Sequence, residues 1–399
     1  TNLVSLILYK IKLTRFVVKK RMGDGFVEMK YVCNECGKKY DLKSLPFRCT
    51  CGGLLNLEDF EFQFSNKDIL KDEWSLFRYI KALPLENNCN LWKDISMGEG
   101  LTPMVPLNND NPNLLVKLDY LMPTMSFKDR GAVILIAKAK ELGVKKVIQD
   151  SSGNAGTSIA AYAHRAGMAC DIYVPQHTSE KKIKQISAHG AVVHVVKGSR
   201  EDTARAALAA VERGDGFYAS HVYNPFFYQG TKTYAYEIYE QLKGEVPEVL
   251  IIPVGNGTLV LGAYYGFKEL FNLGLISKIP KIIAVQSQNC APIYKSFIEG
   301  KDYVQETVNT GTLAEGIAIA DPKRGKQILS AVRDTQGEII TAPEDDIPKA
   351  RQYLAERGFY IEPTTAATFA GYFKYVKENN YHPEGKVIIP LCGSGLKTD

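Results

Sequence analysis

From about residue 114 onward, short apolar runs alternate with longer segments in which apolar residues recur with the period of a helix. The apolar runs have the length of buried strands. This alternation of strand and helix predicts α/β layers built around mainly parallel sheets. The predicted strands are LLVKL, KKVIQD, CDIYVP, AVVHVV, GFYAS, VLIIPVG, KIIAVQ and KVIIPL. The predicted helices include RGAVILIAKAKELG, GTSIAAYAHRAG, REDTARAALAAVERG and PTTAATFAGYFKYVKENN.

A different pattern occupies residues 31–57, where four cysteines, a proline and several glycines fall in a span too short to build its own apolar core. Cys33 and Cys36 are spaced C-x-x-C, and Cys49 and Cys51 follow as C-x-C. Each pair can present two thiolates to one metal ion, so a structural zinc ribbon is predicted, with two disulfides as the alternative. Such a ribbon can also bind nucleic acid or a partner. The preceding residues 1–30 are predicted to be an N-terminal extension.

The 399 residues are enough for two or three domains, and 45% hydrophobic and 23% charged residues are close to globular averages. A net charge of +5 is small for this length, so nucleic-acid binding by electrostatics alone is not favoured. The apolar stretch from Val4 to Val18 is interrupted by Lys10, Lys12 and Arg15, which argues against a membrane span and a secretory signal. Cytoplasmic residence is therefore the default expectation.

Three strand-to-helix turns carry unusual chemistry, and in such sheets ligands bind beyond the carboxyl ends of the strands. In PTMSFKDRGA, Lys128 lies at the predicted start of a helix, where the helix dipole disfavours a cation. Schiff-base formation needs a neutral amine, and a cofactor site can lower the pKa of a lysine, which makes Lys128 a candidate Schiff-base residue. A solvated lysine in an ordinary turn is the alternative.

The other two turns are candidate anion sites. Small and hydroxyl residues open a helix in DSSGNAGTSIAAYA, whose Asn154 can also hydrogen-bond a ring hydroxyl, and glycines separate a strand from a helix in PVGNGTLVLG. Ordinary helix capping is the alternative for the first of these turns. The second lacks the G-x-G-x-x-G spacing of dinucleotide sites and the Lys-Ser/Thr ending of nucleotide-triphosphate loops. The turn in PVGNGTLVLG is therefore predicted to bind a phosphate group.

Taken together, the turns resemble those of the fold type II pyridoxal-phosphate enzymes, and most closely the threonine synthase family, from about residue 92 to the C-terminus. The matching segments are GEGLTPM, VKLDYLMPTMSFKDRGA, SSGNAGTS, NPFFYQGTKTYAYEI, PVGNGT, GFKEL and CGSGLK. Some threonine synthases also have an N-terminal zinc ribbon. The resemblance implies a large cofactor domain (75–143 and 227–399), a small domain (144–226) that closes over the substrate, and a homodimer.

The resemblance also assigns roles to residues of the turns. Lys128 would hold pyridoxal 5'-phosphate as the internal aldimine, Asn154 would contact the cofactor's 3'-hydroxyl, and Cys392 would meet the pyridine nitrogen. The cofactor phosphate would be bound by Gly255, Asn256, Gly257 and Thr258. The substrate would be bound by Ser151, Ser152, Thr157 and Asn224.

The C-terminal turn departs from the family pattern. Threonine synthases usually carry Thr-Gly-His-Gly there, whereas this chain has Cys392, Gly393, Ser394 and Gly395. A thiol is still a neutral partner for the ring nitrogen, and some serine dehydratases of this fold are similar in placing a cysteine there. A buried small hydrophobic residue is the alternative interpretation of Cys392.

The carboxylate turn departs as well, because Ala155 and Gly156 follow Asn154 where the family commonly has Thr and Ser. This leaves open which amino acid is the substrate. A phosphorylated substrate such as O-phosphohomoserine needs cationic or hydroxyl partners of its own. The candidates by position are Arg200, Asn224 and Lys232, and an ordinary surface or structural role is the alternative for each.

Three functions follow from these observations. The leading hypothesis is a threonine synthase that converts O-phospho-L-homoserine and water to L-threonine and phosphate, with Lys128 as the proton shuttle. A serine or threonine dehydratase or a β-replacing synthase on the same cofactor is the first alternative, favoured by Cys392 and by the SSGNAG turn. A non-catalytic protein that binds through its zinc ribbon is the second, and the presence of Lys128 together with both anion turns argues against it.

Overall fold

The structure, a computed structural model, describes residues 29–58, 63–85, 91–108 and 110–398. All but the last two residues of the predicted N-terminal extension lie outside the described residues. Among the described residues no helix combines the length and the apolar character that crossing a membrane requires.

The described chain alternates strands and helices along most of its length. The strands are β1 (Lys30–Cys33), β2 (Lys39–Asp41), β3 (Leu55–Leu57), β4 (Met104–Pro106), β5 (Leu114–Lys117), β6 (Lys146–Gln149), β7 (Ala169–Pro175), β8 (Val192–Val196), β9 (Phe217–Tyr218), β10 (Val249–Pro253), β11 (Lys281–Ser287), β12 (Glu338–Ala342) and β13 (Val387–Pro390).

The helices connect these strands and cover the sheets. The α-helices are α1 (Leu91–Ile95), α2 (Lys128–Glu141), α3 (Asn154–Arg165), α4 (Glu180–Ala188), α5 (Arg200–Glu212), α6 (Pro225–Thr231), α7 (Thr233–Gln241), α8 (Thr258–Asn272), α9 (Pro292–Ile298), α10 (Gly325–Asp334), α11 (Ile347–Ala355) and α12 (Pro363–Asn379). The short 3-10 helices are Leu42–Ser44, Asn66–Asp68, Leu76–Ala82, Asp119–Leu121, Glu315–Ile317, Glu344–Asp346 and Gly395–Lys397.

The largest sheet has six strands in the order β12-β11-β10-β13-β5-β4. Its neighbouring strands are parallel except for β4, which runs antiparallel to β5 at the edge. The central strands β10 and β13 are buried along their whole length, because α12 packs on one face of the sheet while α8 and α10 pack on the other. Burial on both faces explains why these strands are unbroken apolar runs in the sequence.

A smaller sheet has four strands in the order β8-β7-β6-β9, all parallel. Its strands lie between residues 146 and 218, inside the range 144–226 that the resemblance assigns to a small domain. Helices α3, α4 and α5 pack against it. The two sheets confirm the predicted α/β layers with mainly parallel strands. The eight predicted strands coincide with β5 to β11 and β13, whereas the short edge strands β4 and β12 were not predicted.

The cysteine-rich segment forms a three-stranded antiparallel sheet in the order β2-β1-β3. Its inward side chains Tyr31 and Leu55 are buried in the same apolar cluster as α2 and α6, and the ring of Tyr31 meets Phe226 edge-on at 5.8 Å. The segment therefore has no separate core, as its length predicted, and shares that of the adjoining helices.

Candidate active site

Residues that follow the carboxyl ends of β6, β10 and β13 line a cavity of about 700 Å³. This is where ligands bind in open parallel sheets. The cavity is large enough for a cofactor together with a small substrate. The predicted site residues that it brings together are Lys128, Ser151, Ser152, Asn154, Thr157, Gly255, Asn256, Gly257, Thr258 and Cys392.

Lys128 is the first residue of α2, and its side chain enters the cavity. Its Nζ donates to Oγ1 of Thr258 at 2.8 Å and lies 4.6 Å from the ring centroid of Phe127 and 5.7 Å from that of Phe227. Burial among these groups lowers the pKa of Lys128 to about 7, and the nearby carboxyl of Glu362 opposes this shift. A substantial fraction of the amine is therefore neutral near pH 7, as covalent attachment to a carbonyl group requires.

The first turn of α2 is fixed by buried charges directly behind Lys128. Asp129 accepts from the hydroxyls of Thr124 and Ser158, both at 2.5 Å, and is fully buried. Arg130 is also fully buried, with ion pairs of 2.8 Å to Asp119 and 2.5 Å to Glu237. These contacts oppose rotation of the helix, so the position of Lys128 is held by groups outside the cavity.

The turn after β6 presents the start of α3 to the cavity. A Cβ atom on Gly156 would lie 1.8 Å from the backbone oxygen of Ser151, so only glycine fits at this position. The departure from the family pattern at Gly156 thus has a steric reason in this chain. The first backbone N–H groups of α3 have no carbonyl partner within the helix, which makes this end suited to a carboxylate or a phosphate.

The turn after β10 presents the start of α8 in the same way. Gly257 is the N-cap and has φ +77°, a left-handed conformation that favours glycine. A Cβ atom there would also lie 2.5 Å from Cδ1 of Ile328 on α10. Gly255 is similarly enclosed, since its Cβ atom would lie 2.9 Å from Cγ1 of Ile319. The backbone of this turn can therefore approach an anion closely, with the positive end of the helix dipole behind it.

Cys392 follows β13 and is 1% exposed. Burial raises the pKa of its thiol well above the usual range, and the nearby carboxyl of Glu362 adds to this, so the side chain is neutral at pH 7. Its backbone oxygen accepts from the N–H of Phe127 at 2.9 Å, which joins the C-terminal turn to the turn that carries Lys128. Ser394 caps the last 3-10 helix by accepting from Leu396 N.

Glu362 and His221 are among the buried groups of the cavity that were not predicted from the sequence. Glu362 precedes α12 and its Oε2 accepts from Nδ2 of Asn154 at 2.9 Å, while burial raises the pKa of its carboxyl. Burial, followed by the charges of Lys128 and Arg200, lowers the pKa of His221 well below its usual value, so its ring is neutral. Neither residue belongs to a glycine-rich turn. A glutamate before a proline at a predicted helix start is the signal that could have pointed to Glu362.

The three candidates for binding a phosphorylated substrate lie in different places. Arg200 lines the cavity. Asn224 is the N-cap of α6, where its Oδ1 accepts from Phe226 N, and Lys232 pairs with Glu269 at 2.8 Å. Neither Asn224 nor Lys232 is among the described residues that line the cavity. Lys182, which was not predicted, lines it and pairs with Glu315 at 2.5 Å.

The four cysteines of residues 31–57 converge at one end of the small antiparallel sheet. All four Sγ atoms lie within 4.8 Å of one another, with 3.5 Å between Cys33 and Cys51 and between Cys36 and Cys49. These distances exceed a disulfide bond of about 2.05 Å. They are close to the sulfur separation of about 3.8 Å that follows from tetrahedral coordination with metal–sulfur bonds of about 2.3 Å.

The fold is shared with solved structures of other enzymes. Threonine deaminase isoform 2 from Solanum lycopersicum superposes with a TM-score of 0.66 over 84% of this chain and 87% of its own, at 22% identity. Serine racemase from Dictyostelium discoideum gives a TM-score of 0.63 over 76% of this chain and 97% of its own, at 25% identity.

Sequence comparison is more specific than the fold. The profile of the family described as "Pyridoxal-phosphate dependent enzyme" matches residues 95–393. Threonine synthase from Methanocaldococcus jannaschii is 32% identical over 376 residues, which cover 92% of each chain. Threonine synthase from Methanosarcina acetivorans is also 32% identical, over 92% of this chain and 91% of its own. The chain therefore belongs to the pyridoxal-phosphate dependent enzymes and, within them, to the threonine synthase family.

Proposed function

We propose that this chain converts O-phospho-L-homoserine and water to L-threonine and phosphate. One observation supports this proposal most strongly. A single cavity is lined by Lys128, whose amine is partly neutral at pH 7, and by two helix starts that are suited to binding anions. A cofactor and a substrate that each carry an anionic group need two such starts. The relationship to threonine synthases over 92% of the chain supports the choice of substrate.

The residues present fit pyridoxal 5'-phosphate. Lys128 would hold its aldehyde carbon, the turn from Gly255 to Thr258 its phosphate, Asn154 its ring hydroxyl and Cys392 its ring nitrogen. Gly255 and Gly257 carry no side chains that would keep a phosphate away from the backbone N–H groups of the turn, and both line the cavity. The neutral thiol of Cys392 suits a ring nitrogen that is not held protonated. When bound, the cofactor supplies a conjugated ring that stabilises the carbanion formed at the substrate's α-carbon.

The reaction requires a base that removes the α-proton and later returns a proton. Lys128 Nζ would serve as this base when it is not bound to the cofactor, because its pKa of about 7 lets it both accept and donate a proton near neutrality. Thr258 Oγ1, 2.8 Å from Nζ, fixes the direction of the amine. A proton would be lost from the β-carbon as phosphate leaves the γ-carbon, the γ-carbon would gain a proton, and water would add at the β-carbon. Together with return of a proton to the α-carbon, these changes convert the substrate and water to L-threonine and phosphate.

The substrate would be held by the two sides of the cavity. Ser151, Ser152 and Thr157 at the start of α3 would bind its carboxylate. Its phosphate would be bound by Arg200 and Lys182, which line the same cavity. Asn224 would contribute only through α6, because its side chain caps that helix and is not among the described residues that line the cavity.

The test is an assay of the purified protein with O-phosphohomoserine, in which phosphate and threonine are both measured. The two products should form in equal amounts. Lys128→Ala should abolish both products and the visible absorbance of lysine-bound cofactor. Free L-serine and L-threonine, assayed for release of ammonia and a keto acid, test the dehydratase alternative that Cys392 favours. Activity on the unphosphorylated amino acids alone would contradict the proposal while leaving the cofactor assignment in place.

The four cysteines would hold one structural zinc ion. Their sulfur atoms have the chemistry and the mutual distances of a tetrahedral thiolate site, and no fifth ligand is needed. Such a site requires reduced thiols, which fits a reducing compartment such as the cytoplasm.

The proposal further includes a small domain at residues 144–226 that closes over the substrate and a homodimeric assembly.

A further inference from the structure

Glu362 is a carboxyl group buried in the wall of the cavity, with 8% of its surface exposed. It precedes Pro363, the first residue of α12, and its backbone N–H donates to the oxygen of Gly393 at 3.0 Å. Its backbone is thus fixed both to a long helix and to the C-terminal turn that carries Cys392. None of the roles assigned above uses this side chain.

The side chain makes one specific contact across the cavity. Oε2 of Glu362 accepts from Nδ2 of Asn154 at 2.9 Å. Asn154 begins a helix that covers the smaller sheet, whereas Glu362 precedes a helix that covers the larger sheet. A side-chain amide has two N–H donors and one carbonyl acceptor. The contact occupies one donor and leaves the other donor and the carbonyl oxygen available to a ligand.

The turn at Gly393 is shaped around this carboxyl. A Cβ atom on Gly393 would lie 2.5 Å from both Cδ and Oε2 of Glu362, so any larger residue would displace the carboxyl. The ammonium groups of Lys397, Lys128 and Lys182 also act on Glu362 and favour its charged form, while burial opposes it. Because the carboxyl of Glu362 is buried and packed closely against Gly393, it has little freedom to turn away from Asn154.

We propose that Glu362 is a positioning residue of the cofactor site. By accepting one hydrogen of the Asn154 amide, it fixes the orientation in which the other hydrogen faces the cofactor's ring hydroxyl. The inference rests on the proposed function, in which Asn154 contacts that hydroxyl. Glu362 acts through Asn154 in this role, so its effect depends on the presence of the amide.

Two substitutions of Glu362 separate the hydrogen bond from the volume of the side chain. Glu362→Gln keeps an oxygen that can accept from Asn154, whereas Glu362→Met has a similar volume and no such acceptor. The dissociation constant for pyridoxal 5'-phosphate is measured by titrating the cofactor-stripped protein and following the absorbance of the bound form. The Met variant should bind roughly tenfold more weakly, which is the loss expected when a buried polar group loses its partner, and the Gln variant should stay within about threefold of the wild type.

A double-mutant cycle with Asn154→Ala tests whether Glu362 acts through the amide. In the Asn154→Ala background, Glu362→Met should cause no further loss of cofactor affinity. Equal losses in the Gln and Met variants, or a Met effect that persists without Asn154, would overturn the inference. Failure of the proposed function would give a different result. In that case the wild type would show no cofactor binding that is lost in Lys128→Ala.

Gly393→Ala provides an independent perturbation if Glu362→Met does not fold. The added methyl group pushes the carboxyl away from Asn154 without changing Glu362 itself. It should weaken cofactor binding by a similar factor, again only when Asn154 is present. Unchanged cofactor affinity in a folded Gly393→Ala variant would count against the inference.

Discussion

The guanidinium of Arg324 donates to Oδ1 of Asn56 at 2.8 Å and thereby ties the cysteine-rich segment to the start of α10. Arg324 is 1% exposed. Its other nitrogens donate to the backbone oxygens of Leu55, Val222 and Tyr223, at distances of 2.7 to 3.0 Å. Because Ile328 of the same helix encloses Gly257, the segment is connected through α10 to the predicted phosphate turn.

Replacing Arg324 with methionine should lower the free energy of unfolding by roughly 3 kcal/mol, because several buried oxygens would lose their donor. Arg324→Lys should recover only part of this, since an ammonium group cannot reproduce the forked geometry. Urea denaturation measures the loss. The matched control is Arg333→Met, which removes one hydrogen bond to the oxygen of Lys301 and a cation–π contact with Phe297 and should cost about 1 kcal/mol. Similar losses at both positions would show that Arg324 has no special role.

Removal of metal from the four cysteines should loosen residues 31–57 and expose their buried face. Tyr31 and Leu55 pack against α2 and α6, so the loss should extend into the main core and lower Tm. We expect one zinc ion per chain by elemental analysis, and a chelator should lower both the zinc content and Tm. Cys36→Ser should have the same effect without a chelator. A protein with full Tm and no bound metal would exclude a structural metal site.

Gly257 should not tolerate a side chain, for two separate reasons. Alanine at φ +77° is strained, and its Cβ atom would also lie 2.5 Å from Ile328. Gly274 is a matched control, because it has φ +70° and open space around its would-be Cβ atom. Gly274→Ala should cost about 1 kcal/mol of stability and leave cofactor affinity unchanged. Gly257→Ala should weaken cofactor binding at least tenfold in an equilibrium titration, and an unchanged affinity would exclude this turn as the phosphate site.

The main elements could be predicted because their sequence signals are local. The apolar run from Val249 to Pro253 is buried on both faces, and a pattern confined to five residues is enough to predict such a strand. The turns at Lys128 and Gly257 were also predictable, since helix starts with unusual residues are recognisable from the sequence alone.

The contacts that shape the cavity could not be predicted in the same way. Glu362 and Asn154 are 208 positions apart, and nothing local to either residue indicates that their side chains meet. The steric need for glycine at position 156 depends on the path of the chain at Ser151, which only the folded turn defines. Asn224 was predicted as a substrate residue from its position near a matched segment, and only the folded chain shows that its side chain caps α6.

The pKa of Lys128 predicts how the attachment of cofactor depends on pH. Only the neutral amine reacts with an aldehyde, and burial lowers the pKa of this amine from 10.5 to about 7. Below pH 7 most of the amine is protonated, so the rate constant for cofactor attachment to the stripped protein should rise about tenfold per pH unit there. Above that pH the amine is mostly neutral, so the rate should level off.

The control for this measurement is the same reaction with a free lysine derivative whose α-amine is blocked. Its rate should continue to rise towards pH 10, because its side chain has the ordinary pKa of about 10.4. The ratio of the two rates removes the ionisation of the cofactor itself from the comparison. Phe227→Ala should let water reach Nζ, which this ring approaches to 5.7 Å, and should move the midpoint to higher pH. A ratio that does not change between pH 6 and pH 10 would contradict the lowered pKa and, with it, the assignment of Lys128 as an amine kept neutral by its surroundings.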